Sequence, residues 1–277
     1  MNEGPLQRAA LRTRSVFISD VHLGFKGCQA QYLLDFLRSV ECEYIYLVGD
    51  IIDVWALKKS FYWPQAHNDV LRTILGKAKH GTRVVYVPGN HDRVFRDHDG
   101  LVMGNVEILR EAVHETADGR RFLVMHGDEF DSIVRASPML ESIGSHAYSL
   151  ALTLNRYVNS VRCRFGFPYW SLAAFLKHRV KNAVRYIASF EKALAVEARR
   201  QGVDGVICGH IHRAEISVID GITYCNDGDW VESCTALVED FSGRLRLLRW
   251  TDTQAVLADG REFPLRDGSP VPMPVAA

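Results

Sequence analysis

Nine side chains of the kinds that bind divalent metals or move protons stand just past short apolar runs: Asp20, His22, Asp50, Asp53, Asn90, His91, His126, His210 and His212. The runs read VFISDVHLG, YLVGDIID, VVYVPGNHDR, FLVMHGD and VICGHIHR. In open α/β sheets the ligand crevice lies beyond the carboxyl ends of the strands, so groups delivered at five strand ends can meet although they are far apart in sequence. Five of the 11 histidines fall in these clusters. A lone strand-end histidine is ordinarily structural, whereas five separate clusters of carboxylate, amide and imidazole are the pattern of a metal centre. Mixed imidazole and carboxylate donors suit Mn²⁺, Fe²⁺ or Zn²⁺ better than Ca²⁺, and no cysteine stands among them. Gly49, Gly89 and Gly209 each come just before a candidate ligand, where they are expected to give the backbone a sharp turn.

The segments that must position these groups alternate. RSVFIS, YIYLV and RVVYV read as strands, and QAQYLLDFLRSV and AHNDVLRTILGKAKH, with apolar residues at helical spacing, read as the helices between them. Further strands are expected at 106–109, 121–125, 205–208, 215–219, 222–225, 235–239 and 244–250, the later ones spaced like antiparallel hairpins. An α/β protein with mixed sheets follows. From Ser132 to about Gln201 strand signals vanish and helical periodicity takes over, which reads as a helical insertion within the α/β core. Residues 251–277 form a Pro-rich C-terminal extension expected to be partly disordered.

Composition narrows the class. With 277 residues, 47% hydrophobic and 24% charged, the chain can bury a full core. Lys plus Arg equals Asp plus Glu at 33 each, so any basic surface is local and no specific nucleic acid is expected as a partner. The six cysteines form no CxxC pair and read as reduced thiols. Neither a secretory leader nor a bilayer-length apolar segment is evident. The expected location is cytoplasmic.

The ordered set D-x-H (Asp20, His22), G-D-x-x-D (Asp50, Asp53), G-N-H-D (Asn90, His91), H-G (His126) and G-H-x-H (His210, His212) resembles the calcineurin-like metallophosphoesterase superfamily from about Arg14 to Trp250. The resemblance implies a double β-sandwich flanked by helices, with a domain over 14–250 interrupted by the insertion at 132–201. It also implies two divalent ions, Mn²⁺ being the first expectation. Asp20, His22, Asp50 and His212 would hold one, and Asp50, Asn90, His126 and His210 the other, with Asp50 shared. Such a pair lowers the pKa of a shared water from 15.7 toward roughly 7, so a hydroxide bridging the ions would be the nucleophile. Four positive charges, less those of two aspartates and a hydroxide, leave about one to face a phosphoryl group. His91 would protonate the leaving oxygen. Asp53 would either orient that imidazole or cap the following helix, and Asp92 and Asp128 read as turn residues rather than ligands.

SDVHLG, HGDEFD, the insertion and GHIHRAEI further resemble the UDP-2,3-diacylglucosamine pyrophosphohydrolase group, whose members hydrolyse a nucleotide-sugar pyrophosphate in lipid A synthesis. Established members carry G-N-R-D where this chain has G-N-H-D, so a paralogous phosphodiesterase or nuclease remains an alternative, and a noncatalytic protein-binding scaffold a distant one. A phosphorylated small-molecule or lipid-linked substrate is expected to meet Asn90, His91, Asp131, Lys177, Lys181 and His210. The insertion joins Phe165, Phe167, Tyr169 and Trp170 to a row of Arg and Lys, which would suit peripheral contact with the inner membrane. SFYWP at 60–64 reads as a packed aromatic loop.

Overall fold

The computed structural model describes residues 11–131 and 181–251. Its strands are β1 (Leu11–Arg12), β2 (Ser15–Ile18), β3 (Val40–Glu41), β4 (Tyr44–Val48), β5 (Arg83–Val87), β6 (Val102–Met103) and β7 (Val106–Ile108) in the first part of the chain. They continue with β8 (Ala112–Glu115), β9 (Arg121–Val124), β10 (Gly205–Cys208), β11 (Glu215–Ile219), β12 (Ile222–Asn226), β13 (Thr235–Glu239) and β14 (Leu245–Arg249). The helices are α1 (Ala30–Ser39), α2 (Val54–Lys59), α3 (Gln65–Lys79) and α4 (Lys181–Arg200).

Two mixed sheets form, with a two-residue pairing of β1 and β3 beside them. The seven-stranded sheet runs β14-β13-β2-β4-β5-β7-β6, with β2, β4, β5 and β7 parallel and the remaining strands antiparallel to their neighbours. The five-stranded sheet runs β11-β12-β10-β9-β8, with β12, β10 and β9 parallel between antiparallel edges.

Alternation along the strands sorts the core into three layers. Phe17, Tyr46, Val48, Val85 and Val87 of one sheet meet Phe122, Val124, Ile207 and Cys225 of the other in a buried inter-sheet layer. Their neighbours Val16, Ile18, Ile45, Leu47, Val84 and Tyr86 turn the other way, onto Leu33, Leu37, Val70 and Ile74 of α1 and α3. Leu123, Val206, Cys208 and Tyr224 likewise pack on Phe190, Leu194 and Ala198 of α4. Because both faces of the central strands are covered, the sequence there is continuously apolar rather than alternating. The result is helix, sheet, sheet, helix: a double β-sandwich with helices outside.

The expected strands and first two helices form within a residue or two of their anticipated ends, and β12 runs on to Asn226. The antiparallel edge strand β8 and the short strands β1, β3 and β6 were not anticipated. At two or four residues, and with Val113 and Val102 exposed in β8 and β6, they carry too few buried positions for periodicity to show. Of the insertion, only the helix from Lys181 onward is described. Lys177, Phe165 to Trp170 and the extension after Thr251 lie outside the described residues, as does the side chain of Lys181. The five cysteines among the described residues are free thiols.

Candidate metal centre

Each parallel strand of the two inner sheets ends on the same rim. β2 delivers Asp20 and His22, β4 Asp50 and Asp53, β5 Asn90 and His91, β9 His126, and β10 His210 and His212. Backbone bonds hold these loops together: Asp20 N–H donates to Gly49 O at 3.0 Å, His22 N–H to Asp50 O at 2.8 Å, and Gly209 N–H to His126 O at 3.3 Å. Five of the candidate ligands bend with positive φ: Asp20 (50°), His22 (55°), Asp50 (54°), His210 (70°) and His212 (54°). For residues with a Cβ this costs on the order of 1 kcal/mol each, and such bends cluster where side chains must be aimed rather than merely packed.

Only Gly49, at φ 83°, serves by its turn; Gly89 and Gly209 serve chiefly by close approach. A Cβ on Gly89 would lie 2.2 Å from Asp50 Oδ1, and one on Gly209 would lie 2.5 Å from Asp20 Oδ2. These glycines leave room for the carboxylates.

Asp50 stands at the centre. Its Oδ1 accepts His91 N–H at 2.8 Å. Its Oδ2 faces three ring nitrogens: His126 Nε2 at 3.4 Å, and His22 Nε2 and His91 Nε2 at 3.9 Å each. Asp20 Oδ1 lies 3.1 Å from His212 Nε2 and 3.9 Å from His22 Nε2. Three overlapping sets, Asp20–His22–His212, His22–Asp50–His91 and Asp20–Asp50–His126, each bring one ligand atom per residue within 4.8 Å of one another.

The imidazoles are aimed by what their other nitrogens do. His126 Nδ1 donates to Val48 O at 2.8 Å, which leaves Nε2 bare and pointing at Asp50. Asp53 accepts His22 Nδ1–H at 3.1 Å on one oxygen and His91 Nδ1–H at 3.0 Å on the other. The second oxygen also accepts Ala56 N–H at 2.7 Å, so Asp53 caps α2 with the same oxygen that bonds the His91 ring. His210 Nε2 is turned away, to Asp131 Oδ1 at 2.8 Å, an oxygen that also accepts the Tyr186 hydroxyl of α4. That leaves Nδ1 of His210 for any ligand. Asp131, expected against substrate, is engaged as an orienting group.

Burial alone would raise the Asp20 and Asp50 carboxyls, but His212 beside the first and His126 beside the second hold both well below the usual carboxylate range. Asp53 is held low in the same way by His22 and His91. Burial would lower His22, yet Asp53, Asp50 and Asp20 push it up to about 9. The fold therefore keeps three carboxylates ionised by surrounding them with imidazoles.

Asp92 takes neither a ligand's place nor an ordinary turn role. It is fully buried and accepts N–H bonds from Gly89 (2.6 Å), Ile51 (2.8 Å) and Asp50 (3.3 Å) and the Tyr86 hydroxyl, binding the β4 and β5 loops together. Asp128 pairs with Arg96, which also donates to Pro88 O at 2.9 Å, tying the His126 loop to the β5 loop. One group escaped notice in the sequence. β12 also ends on this rim, and fully buried Asp227 accepts the Ser19 hydroxyl at 2.5 Å, the same hydroxyl that contacts Asp20. Strand ITYCN running into DGD had the same form as the other five clusters and could have been counted with them.

A family model of the calcineurin-like phosphoesterases matches residues 13–214. The chain belongs to that family. It is accordingly a metal-dependent phosphoester hydrolase. The chain is 26% identical over 231 residues to UDP-2,3-diacylglucosamine hydrolase of Neisseria meningitidis serogroup B, covering 77% of this chain and 88% of that one. The enzyme of the same name from Xanthomonas campestris pv. campestris is 25% identical over 244 residues, covering 83% of this chain and 96% of that one. Calcineurin-like phosphoesterases use divalent metals, and the donor set present fits such ions. Asp20 Oδ1, Asn90 Oδ1 and His126 Nε2 are buried and have no hydrogen-bond partner. Buried lone pairs left open on three converging loops are what a cation satisfies.

Proposed function

We propose that the chain hydrolyses a phosphodiester or pyrophosphate bond with two divalent ions, preferably Mn²⁺, held about Asp50, and that its substrate is UDP-2,3-diacylglucosamine or a closely related nucleotide-linked or lipid-linked phosphate in the cytoplasm. The observation that carries the reading is the set of open, buried lone pairs of Asp20, Asn90 and His126 around a carboxylate reached by three imidazoles. The names of the relatives supply the substrate. Asp20, His22, Asp50 and His212 would hold one ion, and Asp50, Asn90, His126 and His210 the other.

When bound, such a pair supplies hydroxide at neutral pH and offsets charge on the phosphoryl oxygens. The chain's own residues do the rest. Asp50 offers Oδ2 inward because His91 N–H occupies Oδ1. Asp53 fixes His91 through Nδ1, leaving Nε2 toward the centre and the ring a quarter exposed, where a leaving oxygen can take its proton. Asn90 can bind a phosphoryl oxygen through its amide as well as a cation. His91 stands where established members carry arginine, so the chain replaces a fixed charge with a proton donor. Lys177 and Lys181 remain proposed substrate contacts.

The test is release of UMP from UDP-2,3-diacylglucosamine by the Mn²⁺-loaded protein. Release at a rate comparable to hydrolysis of an aryl phosphodiester supports the assignment. Hydrolysis of the aryl ester without UMP release would remove this substrate and leave the reaction class.

A further inference from the structure

Helix α2 is an odd place for a tryptophan. None of its six residues is buried, and Trp55 stands 55% exposed, so core packing does not account for so large a side chain there. The indole lies instead against His91, with the ring centroids 4.3 Å apart and the planes tilted by 35°. SFYWP, expected to pack as an aromatic loop just beyond, does so through Tyr62 and Trp63, both edge-on to buried His67, while Phe61 stands in water.

The first turn of α2 takes hold of His91 at three points. Asp53 Oδ1 accepts its Nδ1–H at 3.0 Å, Val54 N–H donates to its carbonyl at 3.2 Å, and Trp55 covers its ring. The torsion that turns a histidine ring is broad, so a hydrogen bond at one nitrogen leaves the ring free to swing about that bond. Such a swing displaces the opposite nitrogen most. His22 closes one side of the ring, edge-on at 4.6 Å and 90°, and the indole closes another. Offset and edge-on ring pairs both attract, so the imidazole sits in a slot rather than on a hinge. The slot leaves Nε2 aimed at the centre, 3.9 Å from Asp50 Oδ2.

We propose that Trp55 is a positioning residue for proton transfer: its indole holds the His91 ring so that Nε2 meets the leaving oxygen. This role rests on the reading of His91 as the proton donor, and it carries a consequence of its own. The dependence on Trp55 must grow as the leaving group becomes more basic, because a poor leaving group needs the proton and a good one departs without it.

The experiment compares methyl phenyl phosphate with methyl p-nitrophenyl phosphate as substrates of the Mn²⁺-loaded full chain. A misplacement of about 1 Å costs about 100-fold, so Trp55→Leu should lower kcat for the phenyl ester by about that factor with little change in KM. The ratio of phenyl to p-nitrophenyl turnover should fall about tenfold or more. The ratio is taken within one variant, so a smaller share of folded or metal-loaded protein cancels. Trp55→Phe, which keeps an aromatic face, should return the ratio to within about threefold of the wild type. Added to His91→Ala, Trp55→Leu should change the ratio no further, whereas a general loosening of the loops would act on both backgrounds. In the metal-free protein, NMR should show the His91 ring protons shifted in Trp55→Leu, because the ring current of the indole is gone. A Trp55→Leu ratio equal to the wild type, where His91→Ala lowers it, overturns the positioning role alone. A ratio that neither variant changes overturns the reading of His91 and the role of Trp55 together. His91 ring protons unmoved by Trp55→Leu overturn the positioning role as well.

Discussion

Asp53→Asn separates the two things Asp53 does. Asparagine caps helices about as well as aspartate, so where its amide oxygen takes the Oδ1 place the bond to Ala56 N–H survives and α2 should lose almost nothing in stability. The amide has one acceptor oxygen, however, where the carboxylate has two in use, Oδ2 taking His22 Nδ1–H and Oδ1 taking His91 Nδ1–H together with Ala56 N–H. Whichever way the amide is turned, its NH₂ meets one imidazole that is itself a donor there. If His22 is the loser, its ring must flip or tilt and Nε2 leaves the position 3.9 Å from both Asp20 Oδ1 and Asp50 Oδ2. Loss of an orienting partner of this kind costs about 10- to 100-fold in metal affinity, or about 1.4–2.7 kcal/mol. If His91 is the loser, Ala56 N–H loses its acceptor with it, because both use Oδ1; turnover then falls by about 100-fold or more and α2 loses about 1 kcal/mol of capping, with metal affinity intact. Mn²⁺ titration calorimetry, turnover of an aryl phosphodiester and thermal unfolding of the metal-free protein read the three quantities separately. An Asp53→Asn variant that keeps both metal affinity and turnover would show that Asp53 is only a helix cap and refute the reasoning.

Two further perturbations probe the fold around the centre. Gly89→Ala places a Cβ 2.2 Å from Asp50 Oδ1 and 2.7 Å from the His126 ring, so about 1–3 kcal/mol of stability and at least tenfold in Mn²⁺ affinity should be lost; unfolding curves with and without Mn²⁺ measure both. Glu239, fully buried between the sheets, accepts Ser15 Oγ–H at 2.6 Å, His114 Nε2 at 2.8 Å, Arg14 at 2.8 Å and Ala117 N–H at 2.7 Å. Burial would raise its carboxyl, but His114 and Ser15 hold it below the ordinary 4.5. Its contribution is therefore complete above that value and is lost as pH falls through the depressed native value. Glu239→Ala should cost about 3 kcal/mol at neutral pH and flatten the acid side of the stability profile; denaturant unfolding from neutral to acid pH would show an unchanged profile if the cluster were idle.

Much of the architecture was legible because the central strands are covered on both faces. Runs such as YIYLV and RVVYV are buried through their centres, and each breaks abruptly into residues of the kinds that bind metal. The centre was legible for the same reason: a buried run leaves few places for a histidine or aspartate except its end. What escaped were groups whose role depends on contacts distant in sequence. Asp92 sits one residue from His91 and looks like a turn residue, yet its acceptors gather N–H groups from two loops 40 residues apart. Asp131 stands in HGDEFD, but only the return of α4 brings Tyr186 to it, 55 positions on. Trp55 gave no sign that its ring would lie on His91, because helical spacing says which face a residue occupies and not what stands opposite.

The central claim is that Asp50 is shared by two cations, and crystals of the full chain soaked in MnCl₂ and measured at the manganese edge would test it most directly. Two anomalous peaks about 3.5–4 Å apart are expected, one toward His22 and His212 and the other toward Asn90 and His126, with the Asp50 carboxylate between them. A single peak, or none, at a centre whose Asp20, Asn90 and His126 atoms remain open would contradict it.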